Sequence, residues 1–475
     1  MPKGAIYIID TMKSQQSNLK IYNSLSQQKE IFTPIKSSQV GIYVCGNTVY
    51  DFSHIGNARV YVFFDVVVRY LRTLEFNVKY VRNITDIDDK IIRRANELNE
   101  GIEVLTEYFT KALHEDQETL GNLPPDLEPK VTDNMPQIIS MIDNLISKGF
   151  AYVVAGDVYF DINKFKTYGE LAHQDLEKLQ SGARVEVSDL KHDPLDFVLW
   201  KSAKPNEPSW CSPWGEGRPG WHIECSAMAK EFLGEHFDIH GGGADLQFPH
   251  HQNELAQSEA ASGCKFVNYW MHVGFVQVDN TKMSKSLGNF FTVREVLKHY
   301  NWEVLRFFIL ASHYRSPLNY SAENLDNAKS ALIRFYTALN NLENFAVSDE
   351  EHDFTNSFFA AMNDDFNTPK AISVLFDLVR HINNLKNDEK YQEASKLASW
   401  LRSLGKILGI LQQDSEVFLR GGKDNLEDDV QKAIDSRNQA RQNKDWALAD
   451  QIRQGLLVKG IVLEDSAAGT VWKKI

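Results

Sequence analysis

Cysteine is scarce in this chain: Cys45, Cys211, Cys225 and Cys264 are the four thiols in 475 residues. So long a protein with so few thiols is not a disulfide scaffold. A reducing cytoplasm is the expected compartment, and the thiols that matter are expected to bind metal or take part in catalysis. Apolar runs of the roughly eighteen residues needed to cross a bilayer are missing. The start does not read as a signal peptide either. Met1 to Asn18 lack a charged start followed by an apolar run and a small-residue cleavage site, and residues 1–18 read as an extension, expected to be disordered. A general basic excess is lacking: the net charge of −13 excludes indiscriminate nucleic-acid binding over the whole surface. No Gly-x-Gly-x-x-Gly follows the first strand and no Walker loop occurs, which removes the dinucleotide and P-loop readings.

What remains is an ordinary globular composition, 43% hydrophobic and 24% charged, with length for about three domains. Val40 to Gly46 reads as a short β-run closed by glycine. Val60, Phe63, Phe64, Val67, Leu71 and Leu74 then recur on one helix face. A second strand, Val78 to Val81, leads to Thr85-Asp86, either of which is expected to cap the next helix. Strand, helix, strand, helix predicts an α/β parallel sheet, with ligands at the carboxyl ends of its strands, where Cys45, Gly46 and Thr85 fall. The sheet pattern breaks near Leu123 to Asp126. A helix over Val131 to Lys148 and a hairpin over Ala151 to Phe160, turning at Ala155-Gly-Asp157, are expected next. The α/β character returns at Phe237 to His240, followed by a glycine loop. Beyond Tyr300 the pattern is helical, with a hinge expected around Arg420 to Lys423.

Two segments suit phosphate. His54-Ile-Gly-Asn57 falls at the start of the first helix, where free N–H groups and the helix dipole favour anions; Gly56 admits a close approach, and His54 and Asn57 offer hydrogen bonds. Lys282-Met-Ser-Lys-Ser-Leu-Gly288 sets two lysines three apart among small residues, able to close over a triphosphate. Alone, the first is as well explained by a polar cap and the second by a solvated loop. The pair, however, resembles the two signatures of class I aminoacyl-tRNA synthetases. Asn57 departs from the histidine usual at the end of the first. The resemblance implies an α/β, Rossmann-like parallel-sheet catalytic domain split by an insertion, then a helical bundle and a small C-terminal anticodon-binding domain. The expected boundaries are 19–126 and 220–300 for the catalytic halves, 127–219 for the insertion, 301–354 for a stem-contact region, 355–419 for the bundle and 420–475 for the terminal domain. It also implies His54, Lys282 and Lys285 as catalytic residues, with Gly56, Asn57, Ser284 and Ser286 joining them on ATP, and Mg²⁺ accompanying the nucleotide. The amino acid's own carboxylate then attacks ATP, so no protein nucleophile is called for.

Pro249-His-His-Gln-Asn-Glu254 reads as a helix start with proline first; His250 and Glu254, or His251 and Glu254, share a face. Adding Cys45 and Cys225 supplies two thiols, one histidine and one carboxylate, the donor types of a four-ligand zinc site, though the residues themselves leave either histidine open and spacing does not bring them together. Resemblance to the cysteine-specific branch of the family favours Cys45, Cys225, His250 and Glu254. Zinc then explains selection: serine is nearly isosteric with cysteine, but an alcohol is a harder ligand and gives up its proton less readily. The same resemblance places Gly46, Thr48, Thr85, Trp221, His240 and Asp245 at the amino-acid and adenylate pocket, and leaves Cys211 and Cys264 structural.

From Val430 onward eight Lys and Arg face five Asp and Glu, a basic excess in an acidic chain. Arg437, Arg441 and Lys444 fall on one helix face, with Trp446 beside them: phosphate neutralisation plus a stacking surface for bases. The resemblance implies Arg441, Trp446, Asp450 and Asp465 as anticodon contacts, and Met362 to Pro369 as a structural bundle segment. The partners expected are tRNA(Cys), L-cysteine and ATP, with no membrane, and the chain is expected to be a monomer. The same residues argue against two rival readings. A ligase passing cysteine to an amino sugar lacks the C-terminal segment, and a non-catalytic zinc RNA binder has no use for a triphosphate clamp.

Overall fold

The computed structural model describes residues 18–173, 191–205, 207–278, 281–283, 290–345, 353–420, 426–443, 445–458, 460–466 and 469–474. The extension up to residue 17 and the hinge residues 421–423 lie outside them.

The core is a four-stranded parallel sheet. Its elements in chain order are β1 (Gln39–Val44), α1 (Ile55–Thr73), β2 (Asn77–Arg82), α2 (Trp221–Leu233), β3 (Phe237–Gly243), α3 (Gln252–Ser262) and β4 (Val267–Val273). The strand order is β4-β3-β1-β2, every pair parallel. The connection from β1 runs to one side and that from β3 to the other. The adjacent carboxyl ends of β1 and β3 therefore form a switch point, where crossovers leave a crevice. There the Cys45 amide donates to the carbonyl of Gly241 at 3.1 Å.

Alternation along β1 sets the layers. Val40, Ile42 and Val44 join α1 and the C-terminal helices in one apolar core, while Tyr43 and Cys45 join α2, α3 and the insertion in another. Among the described residues the insertion holds a helix, Met135–Ser147, and a five-stranded antiparallel sheet whose first hairpin turns at Ala155 and Gly156, both with positive φ. It covers the face of the sheet that carries the two buried thiols.

Four local expectations need correction. The helix after β2 spans Asp89–Leu98 and is capped by Asp88, whose side chain accepts from the Lys90 amide, rather than by Thr85 or Asp86. The helix expected from Val131 opens with a 3₁₀ turn, Thr132–Asn134, before becoming α at Met135. The glycines after His240 are not a loop but the end of β3. An added Cβ on Gly241 would lie 2.0 Å from the Phe64 ring, so glycine lets α1 pack directly on the strand. Pro249 does not open α3; it lies in a π-type turn, Gln247–His251, and α3 begins at Gln252.

Beyond the sheet, helices Trp302–Leu310, Ala322–Leu339, Asp353–Met362, Thr368–Asn387 and Tyr391–Leu408 pack into the same core as α1. Asn367 caps the fourth of these, with proline in its first turn. The segment Met362 to Pro369 joins two of these helices through a turn whose Asp365 is fully buried, accepting from Tyr22 N, Tyr314 Oη and Arg315 Nε. It thereby ties the bundle to the sheet domain. The chain ends in helices Leu426–Gln442 and Trp446–Val458 and the antiparallel pair Ile461–Ser466 and Gly469–Lys474, around a small core of Val430, Ile434, Leu456, Ile461 and Leu463. No helix among the described residues is long and apolar enough to cross a membrane.

Candidate metal and nucleotide site

Three elements bring four donors together behind the switch point. Cys45 follows β1, Cys225 lies in α2, and His250 and Glu254 come from the turn into α3 and its first turn. One donor atom from each falls within 4.8 Å of all the others, and every residue is buried. The sulfurs lie 3.7 Å apart, Cys45 Sγ lies 3.3 Å from Glu254 Oε1, and His250 Nε2 lies 3.0 Å from the same oxygen. These separations suit donors sharing one metal ion, for which metal–sulfur bonds of about 2.3 Å and metal–nitrogen bonds of about 2.0 Å are usual.

Electrostatics link the same groups. Burial alone would raise the Glu254 carboxyl, but His240 and His250 outweigh it and hold it well below its usual range. Burial opposes a charge on His250, yet Glu254 and Cys225 overcome it and push it up to about 10. The hydrogen bond from Cys45 draws the Cys225 thiol down to about 6, while burial next to that group pushes Cys45 up. These buried groups thus shift one another's charge, Glu254 and Cys225 holding a positive charge on His250 in the absence of an ion.

Around the donors stands a set of imidazoles. His222 Nδ1 meets His250 Nδ1 at 2.9 Å, leaving His250 Nε2 for the centre, and the Trp221 ring packs on His250 at 4.3 Å between centroids. His240 Nε2 lies 2.8 Å from Glu254 Oε2. His251 Nδ1 meets His272 Nε2, whose other nitrogen meets Ser24 Oγ. Cys45, His240, His251 and Glu254 form a second group of four close donors, so geometry alone admits His251 as well. The first group is favoured here because it holds both buried thiols, while His240 already holds the outer oxygen of Glu254. Burial keeps His251 and His272 neutral. His222, His251 and His272 were not singled out as supports from the sequence; the one legible signal was His222 standing three residues before Cys225.

In front of the donors opens a cavity of about 320 Å³. Cys45, Gly46, Thr48, His54, Gly56, Asn57, Trp221 and Asp245 all line it, as do Met283 of the lysine segment and Lys90, Gly274 and Phe275, which the sequence had not suggested. Gly46 has a reason to be glycine: a Cβ would fall 1.7 Å from the Asn83 carbonyl. Thr85 and His240 are buried behind the lining; Thr85 Oγ1 donates to Glu224. His54 caps α1. Its Nδ1 accepts from the Asn57 amide at 3.1 Å, and Asn57 Oδ1 accepts from the His54 amide at 3.1 Å, a reciprocal capping box. Asn57 Nδ2 also donates to Asn47 Oδ1. Thr281–Lys282 is a short strand paired with Val276–Val278, whereas Ser284, Lys285, Ser286 and the Lys282 side chain lie outside the described residues.

At the C-terminal end Arg441 and Asp450 are exposed, and Trp446 is 60% exposed. Arg437 is not part of an open basic face. It is 5% exposed and grips Asp465 with both guanidinium nitrogens, at 3.0 and 2.9 Å, and Arg441 joins at 3.1 Å. Lys444 lies outside the described residues. Cys211 and Cys264 are exposed and stand in neither donor group, so they fill no core.

Residues 31–330 match the family described as tRNA synthetases class I (C) catalytic domain, and residues 357–412 match the DALR domain. A cysteine–tRNA ligase of Pseudoalteromonas translucida (strain TAC 125) is 57% identical over 458 residues, covering 96% of this chain and all of its own. The chain belongs to the cysteine–tRNA ligase family. The family's cysteine–tRNA ligase from Histophilus somni (strain 2336) is likewise 57% identical over 459 residues, with the same coverage. Among solved structures, Mycobacterium tuberculosis methionyl-tRNA synthetase in complex with methionyl-adenylate superposes with a TM-score of 0.55 at 12% identity, over 82% of this chain and 94% of that one. That likeness shows the class I fold of this cysteine–tRNA ligase family member, an α/β parallel sheet.

Proposed function

We propose that this chain activates L-cysteine with ATP, giving cysteinyl-adenylate and pyrophosphate, and then transfers cysteine to the 3′-terminal adenosine of tRNA(Cys). Membership of the cysteine–tRNA ligase family supports this. The observation that carries it is the buried Cys45, Cys225, His250 and Glu254 cluster, whose Cys45 lines the cavity at the strand switch point. These four residues would hold Zn²⁺, whose preference for thiolate over alcohol supplies the choice of cysteine over serine. Behind them His222 and His240 orient His250 and Glu254. Gly46, Thr48, Thr85, Trp221, His240 and Asp245 shape the amino-acid and adenylate pocket.

On the nucleotide side His54, Gly56 and Asn57 present the α1 terminus to ATP, with Mg²⁺ accompanying the phosphates. Lys282, Ser284, Lys285 and Ser286 are the residues proposed to bind the triphosphate. Their task is alignment and charge stabilisation while the substrate carboxylate attacks the α-phosphorus. Arg441, Trp446, Asp450 and Asp465 form the anticodon end, with residues 301–354 contacting the stem. We take the enzyme to be a cytoplasmic monomer.

The deciding experiment is ATP–pyrophosphate exchange with cysteine, serine and alanine, paired with metal content. Exchange with cysteine alone, and one zinc per chain, is expected. Equal exchange with serine, or activity in a metal-free protein, overturns the zinc-based selection.

A further inference from the structure

Arg59 lies one turn into α1 and is 1% exposed. Its partners are five backbone carbonyls. Nη1 donates to Gly274 and Phe275 at 2.8 and 2.9 Å, and Nη2 donates to His313, Tyr314 and Ser316. A guanidinium buried on carbonyls alone is expensive: burial draws it down to about 10. A salt-bridged arginine, as Arg306 is with Asp65, stabilises packing at lower cost, so this arrangement asks for a reason.

The reason lies in what the carbonyls belong to. Gly274 and Phe275 are wall of the cavity, as are Gly56 and Asn57 at the other end of the same helix turn. Phe275 leads directly into Val276–Val278, which pairs with Thr281–Lys282 on one edge and Leu318–Tyr320 on the other. The Val276 carbonyl accepts from the Met283 amide at 3.1 Å, and Met283 Cε would lie 3.7 Å from a Cβ on Gly56. The third segment, His313 to Ser316, presses on Gly274 so closely that a Cβ there would sit 2.6 Å from the Ser316 carbonyl. One guanidinium thus fixes the helix behind His54, the strand leading to Lys282 and the segment after helix Trp302–Leu310.

We propose that Arg59 is a positioning residue for ATP, setting the gap between the two nucleotide-binding segments through the Gly274 and Phe275 carbonyls. This rests on the proposed activation of cysteine by ATP. A lysine keeps the charge but presents three donors from one point, so it cannot hold three segments in one plane.

The test compares Arg59→Lys and Arg59→Ala with the wild type in cysteine-dependent pyrophosphate exchange, alongside zinc content. An absence of exchange in the wild type defeats the functional reading and leaves Arg59 aside. Given wild-type exchange, kcat/KM for ATP is expected to fall by up to about 100-fold in Arg59→Lys, the scale of a roughly 1 Å misplacement, with KM for cysteine and zinc content held. Low millimolar guanidinium is expected to restore part of the ATP term in Arg59→Ala, and urea at the same concentration is not. Unchanged ATP parameters overturn the proposal. So does parallel loss of the cysteine term and zinc, or failure of both variants to fold, each of which reduces Arg59 to a stability role.

Discussion

Cys45 Sγ and Cys225 Sγ lie 3.7 Å apart although 180 positions separate them in the chain. Cys225→Ser replaces a soft donor with a hard one while keeping the volume. Zinc and cysteine-dependent exchange are expected to disappear together, since losing an outer partner already costs about 10–100-fold in metal affinity. His240→Gln, which frees only the outer oxygen of Glu254, is expected to weaken zinc within that smaller range. Metal analysis after dialysis against a chelator separates the two. Normal exchange by metal-free Cys225→Ser would sink the assignment.

The sheet makes its own prediction at Gly241. A methyl group there meets the Phe64 ring at 2.0 Å, and neither the strand nor α1 can retreat without disturbing both cores. Gly241→Ala is expected to cost about 1–3 kcal/mol or more by overpacking, lowering the thermal midpoint. Gly263→Ala is the contrast: its Cβ meets nothing within 4 Å, so only its positive φ of 80° is strained. Equal midpoints for Gly241→Ala and wild type would show that the strand end can shift.

What could be read from the residues divides along a physical line. The β1, α1 and β2 pattern was legible because alternation and helical periodicity are local, as the Val40, Ile42, Val44 set and the Phe63, Phe64, Val67 face show. The four donors could be named only through resemblance, because nothing in local sequence tells that Cys45 and Glu254 meet. Spacing alone left His250 and His251 equal; the structure still puts both near Glu254, at 3.0 and 4.0 Å, and separates them by what else they touch. The glycine run misled for an instructive reason. Glycine marks a turn or a close approach, and at Gly241 the approach is an aromatic ring from another element. Arg437 misled likewise: a cation on a helix face reads as a phosphate contact until its carboxylate, 28 positions away, is seen.

That carboxylate predicts a pH dependence. The Arg437 hydrogen bonds first, then that from Thr470, hold the Asp465 carboxyl far below the usual range. A carboxylate whose folded pKa is depressed stabilises the fold above its unfolded pKa, about 3.9, and the contribution is lost as pH falls below that value. Asp465 is 39% exposed, so solvent screens the cluster and the contribution is about 1 kcal/mol. Hydrogen exchange in Ile461–Ser466 is expected to speed up as pH falls from about 4 to about 2, beyond the intrinsic rate change. In Asp465→Asn that extra dependence is expected to vanish. An unaltered profile in the variant would show that the Arg437 pair does not anchor the hairpin.

Trp446 separates the two halves of the reaction. Its ring is 60% exposed at the start of helix Trp446–Val458, so truncation removes little core packing. If the ring is a stacking surface for an anticodon base, Trp446→Ala loses about 1–3 kcal/mol of tRNA affinity, the usual worth of one stacked base. KM for tRNA in cysteine charging then rises, and pyrophosphate exchange, which needs no anticodon, stays as in the wild type. Trp446→Phe keeps a stacking face and is expected to recover most of the loss. Equal defects in charging and exchange would mean that Trp446 acts through the fold rather than through RNA.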